Sequence, residues 1–255
     1  MKSLVPIFVL LWVLTASAQT PNTHVSLVQK LDAMRVPPED FTARVTVQKT
    51  KAGASTSETA TFRQYSHRRV EANGRVVLDT LVVCDEPARD AGKMILFVGD
   101  ACWFFDPRAK RASRMPAQQV ASQALVADLM NWRFTDDFDH TLAGRESVTA
   151  AGSAHPCTVL DFTPKPGVKN RSPLVRCWID DAGHPWKAEH YTASRRVFRQ
   201  VLFTRYETVL GARRATGLRI DNHGDIEDIT LSEMKAGRSP ADWFDPEKLP
   251  TIKTK

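Results

Sequence analysis

One feature constrains this chain more than any other: past Pro37-Pro38 its apolar residues recur with a period of two, almost to the end. Phe41, Ala43, Val45 and Val47 alternate with Thr42, Arg44, Thr46 and Gln48, which is the signature of a strand with one buried face. Further strands are expected at Thr59–Tyr65, Arg75–Cys84, Lys93–Val98, Cys102–Asp106, Ala154–Thr163, Leu174–Asp180, Pro185–Tyr191, Arg195–Glu207, Arg214–Asn222 and Asp225–Met234. Asn73-Gly74, Gly99-Asp100, Pro166-Gly167, Ala182-Gly183 and His223-Gly224 mark tight turns between several of them. Only two stretches have helical spacing, 24–35 before the prolines and Ala117–Arg133 in the middle, and a short segment opened by Asp242, Trp243, Phe244 and Asp245 closes the chain. Strands and helices do not alternate, so a parallel sheet is excluded. The expectation is a mainly β fold of about ten or eleven strands, a curved antiparallel meander that must curl or close.

The first residues stand apart. Lys2 precedes the apolar run Leu4–Leu14, and Ala16-Ser17-Ala18 follows as a small-residue cleavage site, which reads as a signal peptide over residues 1–18. The remainder, 19–255, shows no composition break and is expected to be one exported domain. Export places Cys84, Cys102, Cys157 and Cys177 in an oxidising compartment. Cys157 and Cys177 lie almost equidistant from Pro166-Gly167, so pairing about that turn would set them opposite each other as a disulfide. Cys84 and Cys102 are expected to have a strand between them, and either pair or stay reduced and buried.

The net charge of +6 is too small for a dedicated nucleic-acid binder. No nucleophile elbow, phosphate-binding glycine loop, dinucleotide fingerprint or zinc-helix motif occurs, so no catalytic residue, metal or cofactor is assigned. Asp136, Asp137, Asp139 and His140 lack calcium-loop spacing and read as a solvated loop. Asp221–Asp225 has the composition of a hairpin turn, and His184 and His190 read as surface histidines. The basic pairs Arg68-Arg69, Lys110-Arg111, Arg195-Arg196 and Arg213-Arg214 read first as solvated edges and second as an attraction for anionic lipid.

The hairpin Gly99-Asp100-Ala101-Cys102-Trp103-Phe104-Phe105-Asp106-Pro107 resembles that of LolA-like lipoprotein carriers, the outer-membrane lipoprotein-sorting family. Pro87–Gly92, Lys110–Arg114, Phe138–Glu146, Val159–Lys165, Trp178–Asp180, Pro185–Tyr191 and Trp243-Phe244 before Leu249 follow the family's order over residues 24–250. Ala101 stands where a glycine is common, and the four cysteines are not a family trait. The resemblance implies an incomplete, half-open β-barrel with helices over its mouth and an apolar cavity for acyl chains. It implies a non-catalytic periplasmic carrier or chaperone for a lipid or lipid-modified protein, working as a monomer between an inner-membrane transporter and an outer-membrane acceptor. The alternative is a sensory or regulatory lipid-binding module of the same fold. Phe97, Trp103 and Phe105 of the hairpin and Val120, Leu125, Leu129 and Trp132 of the central helix, the candidate lid, are the expected contacts.

Overall fold

The computed structural model describes residues 23–99, 101–115, 133–168 and 172–253. Helix α1 (Thr23–Arg35) opens the fold. Six strands follow: β1 (Phe41–Thr50), β2 (Ser57–Val70), β3 (Val76–Glu86), β4 (Met94–Val98), β5 (Ala101–Asp106) and β6 (Arg111–Arg114). After the one-turn helix α2 (Phe134–Asp137) come β7 (Phe138–Ala150), β8 (Ser153–Pro164), β9 (Leu174–Ile179), β10 (Pro185–Tyr191), β11 (Val197–Val209), β12 (Ala212–Asn222) and β13 (Asp225–Ala236). Two 3-10 turns, Ala241–Phe244 and Leu249–Thr251, end it.

All 13 strands form one antiparallel sheet in the order β6-β5-β4-β3-β2-β1-β13-β12-β11-β10-β9-β8-β7. Two meanders run outwards from the central β1–β13 pair, so the chain passes from one edge of the sheet to the other between β6 and β7. The sheet is curved and not closed into a barrel. The count exceeds the expected ten or eleven by the two edge strands. An edge strand has one neighbour and little to bury. β6 is Arg-Ala-Ser-Arg, and β7 is largely exposed between its ends, so neither carries the alternation that reveals an inner strand.

Register assigns each side chain to a face. On one face Val45, Phe62, Leu160, Phe162, Cys177, Ile179, Val201, Ile220 and Leu231 form a core that receives Leu27, Val28 and Leu31 of α1. These α1 residues recur at one-turn spacing, and their burial is worth roughly 5–8 kcal/mol in all. The helix lies close to the β9–β10 turn. A Cβ on Gly183, whose φ is 95°, would meet Lys30 Cβ at 2.5 Å, so glycine serves both the turn and the approach. Arg214 on β12 donates to the carbonyls of Ala33 and Met34 at the helix C-terminus. It is buried, not a solvated edge cation as its place in Arg213-Arg214 suggested.

Other expectations are corrected in the same way. Asp137 belongs to α2 and is buried, where Arg75 holds both its oxygens at 2.8 Å. His184 and His190 are also buried, His184 against Asp180 and His190 against Ser172. The four cysteines are free. Cys177 pairs with Leu160 across β8–β9, which leaves Cys157 three residues out of register and on the opposite face. The expected bond is absent because the pairing is centred beyond Pro166-Gly167. β4 does separate Cys84 on β3 from Cys102 on β5, and the His223-Gly224 turn has both φ positive, at 57° and 93°, as expected of a tight hairpin.

Candidate functional site

The face that carries α1 has two unlike halves. Over β8–β13 it is filled. Phe134 of α2 stacks at 4.4 Å from Phe162 and 5.2 Å from Phe138, and α1 completes the layer. Over β2–β5 the same face carries Phe97 and Cys102 with Ile95 and Met115, and a row of polar groups beside them. Gln64, Ser66 and Thr80 are at most 3% exposed. Gln64 Nε2 donates to Ser66 Oγ at 3.0 Å, and Ser66 and Thr80 share a hydrogen bond of 3.2 Å. These hydrogen bonds offset part of the cost of burying the row in an apolar face. On the sequence these residues have the alternation of a solvent-facing row, so nothing marked them as internal.

The expected contacts separate across the sheet. Phe97 pairs with Cys102, whereas Trp103 pairs with Leu96 and Phe105 with Met94, so Phe97 lies on the α1 face and Trp103 and Phe105 on the other. There Leu81, Val83, Met94, Leu96, Trp103 and Phe105 are covered by Trp243, Phe244, Leu249 and Ile252 of the closing segment. Tyr65 meets Trp243 edge-on at 4.9 Å, and His67 stacks on Phe244 at 5.2 Å. One cavity cannot be lined by all three. The expected helix, with Val120, Leu125, Leu129 and Trp132, lies outside the described residues except for Arg133, which is extended and precedes α2.

The chain after that segment is fixed firmly. Asp32 of α1, only 1% exposed, accepts from Phe134 N (2.9 Å), Thr135 N (3.0 Å) and Thr135 Oγ1 (2.7 Å). This is an N-cap supplied from another helix. Asp137 accepts from Arg133 N at 3.0 Å as well as from Arg75. These carboxylates anchor one end of the connection between the sheet edges.

Burial pushes the thiols of Cys102, Cys157 and Cys177 up to about 12, so they stay protonated near neutrality and offer no sulfur nucleophile. Burial, with Arg199 nearby, lowers His190 to about 3 and keeps it neutral. Burial alone would raise Asp180, but hydrogen bonds from Trp186 and the His184 backbone hold its carboxyl below the usual value. It orients His184 and Trp186 on the face opposite α1, beside a shallow cavity of about 240 Å³ at Glu146, Cys157 and Asp181. Among the described residues no three His, Cys, Asp or Glu side chains are grouped to hold a metal ion.

Known structures share this architecture. A DUF1329 family protein from Desulfovibrio piger matches with a TM-score of 0.74 at 21% identity, covering 88% of this chain and 96% of its own. A LolA superfamily protein from Nitrosomonas europaea matches at 0.69 and 24%, covering 86% and 96%. A domain from Vibrio parahaemolyticus described as an outer membrane lipoprotein-sorting protein matches at 0.73 and 19%, covering 89% and 97%. At these identities the likeness speaks for the fold. No curated protein matches the sequence. A family model described as an uncharacterized protein matches residues 78–251, more than half of the chain. The chain therefore belongs to that family of uncharacterized proteins, and its fold is similar to that of the LolA superfamily protein.

Proposed function

We propose that the protein is a non-catalytic periplasmic carrier or chaperone. It binds the acyl chains of a lipid or lipid-modified protein and moves them between an inner-membrane transporter and an outer-membrane acceptor. The unequal cover of the α1 face supports this most. Side chains fill it over β8–β13, and the apolar patch of Phe97, Ile95 and Met115 continues it beyond the reach of α1. An acyl chain gains roughly 0.8 kcal/mol for each CH₂ taken out of water, so a soluble courier needs an apolar surface of comparable length. The hydrogen-bonded row of Gln64, Ser66 and Thr80 lies at the same place and suits the polar end of such a ligand.

Geometry favours a half-open barrel. Laid flat, 13 strands would set β6 and β7 about 58 Å apart. The connection from Met115 to Arg133 reaches at most about 63 Å fully extended, against about 27 Å at the rise of a helix. The proposed lid residues Val120, Leu125, Leu129 and Trp132 belong to this connection and lie outside the described residues. Phe97 lies on the α1 face, while Trp103 and Phe105 serve the core on the opposite face. Titration with a fluorescent fatty acid tests the reading. Saturable binding that unlabelled phospholipid or lipopeptide displaces is expected, and fluorescence without saturation would refute it.

A further inference from the structure

The two edges of the sheet differ in charge. The β6 edge begins at the β5–β6 turn, and from there Arg108, Lys110, Arg111 and Arg114 are all exposed. None of the four has an ion-pair partner among the described residues. Arg108 reaches the Arg89 carbonyl at 3.3 Å, and Arg114 lies over the Trp103 ring. The only carboxylate within this run is Asp106, whose Oδ1 accepts from Arg108 N at 2.8 Å. Ile252 packs in the cluster that includes Ala112 of β6, which brings exposed Lys253 to the same edge. The β7 edge mixes Asp139 and Glu146 with Arg145. Elsewhere some exposed arginines are paired, as Arg89 with Glu58, Arg205 with Glu207 and Arg219 with Asp228, while Arg145, Arg195, Arg196, Arg213 and Arg238 are spread singly or in one pair over other turns and edges.

From this asymmetry we infer that the β6 edge is a docking surface for an anionic phospholipid bilayer. Five cations gathered at one edge, against the single carboxylate of Asp106 opposite Arg111, keep a net attraction for an outside anion. Their arrangement fits a plane better than a strand. Arg111 and Arg114 project to opposite faces of the sheet, Lys110 and Arg108 lie on the turn, and Lys253 comes from the closing segment. β6 spans only four residues, too few to hold an added acidic peptide by backbone pairing alone. Each Arg or Lys at an anionic surface raises partition roughly fivefold. The inference adds a place of membrane contact to the carrier reading, and acyl-chain binding is measured separately from it.

The test is co-sedimentation of the mature chain with vesicles of phosphatidylcholine, alone or with one third phosphatidylglycerol. Binding to the mixed vesicles is expected, weakening as salt rises. The combined variant Arg108→Gln, Lys110→Gln, Arg111→Gln, Arg114→Gln should lose about 100-fold or more in partition. It should keep its melting temperature and its affinity for a fluorescent fatty acid. A control removes the same charge from exposed sites elsewhere: Lys51→Gln, Arg195→Gln, Arg196→Gln, Lys235→Gln. It should lose threefold or less. Equal losses in the two variants would show diffuse net charge and overturn the inference. So would full binding by the β6 variant, or capture by an immobilised acidic peptide with no vesicle binding. Loss of fatty-acid binding in wild-type protein that still docks on vesicles would sink the carrier reading alone.

Discussion

Leu160→Ala and Phe97→Ala, made side by side, separate packed core from ligand surface. Leu160 is fully buried beneath α1, among Leu31, Phe162 and Cys177. Its truncation leaves a cavity with little freedom to collapse and should cost about 2–5 kcal/mol. Phe97 is 7% exposed and would cost about 3–5 kcal/mol if it were packed in the same way. If it lines the acyl site, its neighbours are Cys102, Ile95 and Met115 with the ligand as the remaining partner, and the cost without ligand should fall to about 1–1.5 kcal/mol. For a chain of this length 1 kcal/mol moves the melting temperature by about 2–4 °C. Leu160→Ala should therefore lower it by roughly 5–15 °C, and Phe97→Ala by roughly 2–6 °C. Affinity for a fluorescent fatty acid should fall about tenfold in Phe97→Ala, or about 1.4 kcal/mol, and stay within a factor of two in Leu160→Ala. Calorimetry and probe titration on the same preparations give both quantities. Equal falls in melting temperature, with unchanged affinity in Phe97→Ala, would refute this division of the face.

Three further outcomes follow from the geometry. All four thiols should react with an alkylating agent in the unfolded, unreduced protein, and two blocked thiols would contradict the β8–β9 register that separates Cys157 from Cys177. His190 binds its proton less readily folded than unfolded, so its contribution is complete above about pH 6.5 and declines as pH falls towards about 3. By linkage that contribution is about 4–5 kcal/mol, so denaturant midpoints followed over this window should fall less steeply in His190→Gln than in wild type, and parallel profiles would exclude the assignment. Asp32→Ala strips three donors at α2 of their acceptor and should cost about 2–3 kcal/mol by thermal melting, whereas a change within 1 °C would show that water replaces the carboxylate.

Strands such as β1 and β10 were legible because one face is buried and their residues alternate, and β3 and β4 because both faces are covered and the run is apolar. β6 and β7 were hidden because an edge strand has less to bury. The exposure of Arg214 and Asp137 was misread because their partners are distant in sequence. Arg214 finds its acceptors 180 and 181 residues away, and Asp137 finds Arg75 62 residues away. No local pattern encodes such pairs. The Cys157–Cys177 expectation failed by a three-residue shift in the β8–β9 pairing, and three is odd, so it also changed the face. The division of Phe97 from Trp103 and Phe105 was within reach. The Gly99-Asp100 turn pairs Val98 with Ala101, from which the faces of the whole hairpin follow. What the sequence alone could not supply was the closing segment as the cover of Trp103 and Phe105, since that contact joins residues far apart in the chain.

Native mass spectrometry of the protein, purified from its own cells under gentle conditions and followed by lipid extraction, tests the carrier reading most directly. The account predicts a population heavier by one lipid or one acylated peptide, converted to the bare mass by organic extraction and depleted in Phe97→Ala. A wild-type protein that arrives at its bare mass, and stays there after incubation with phospholipid, would contradict it.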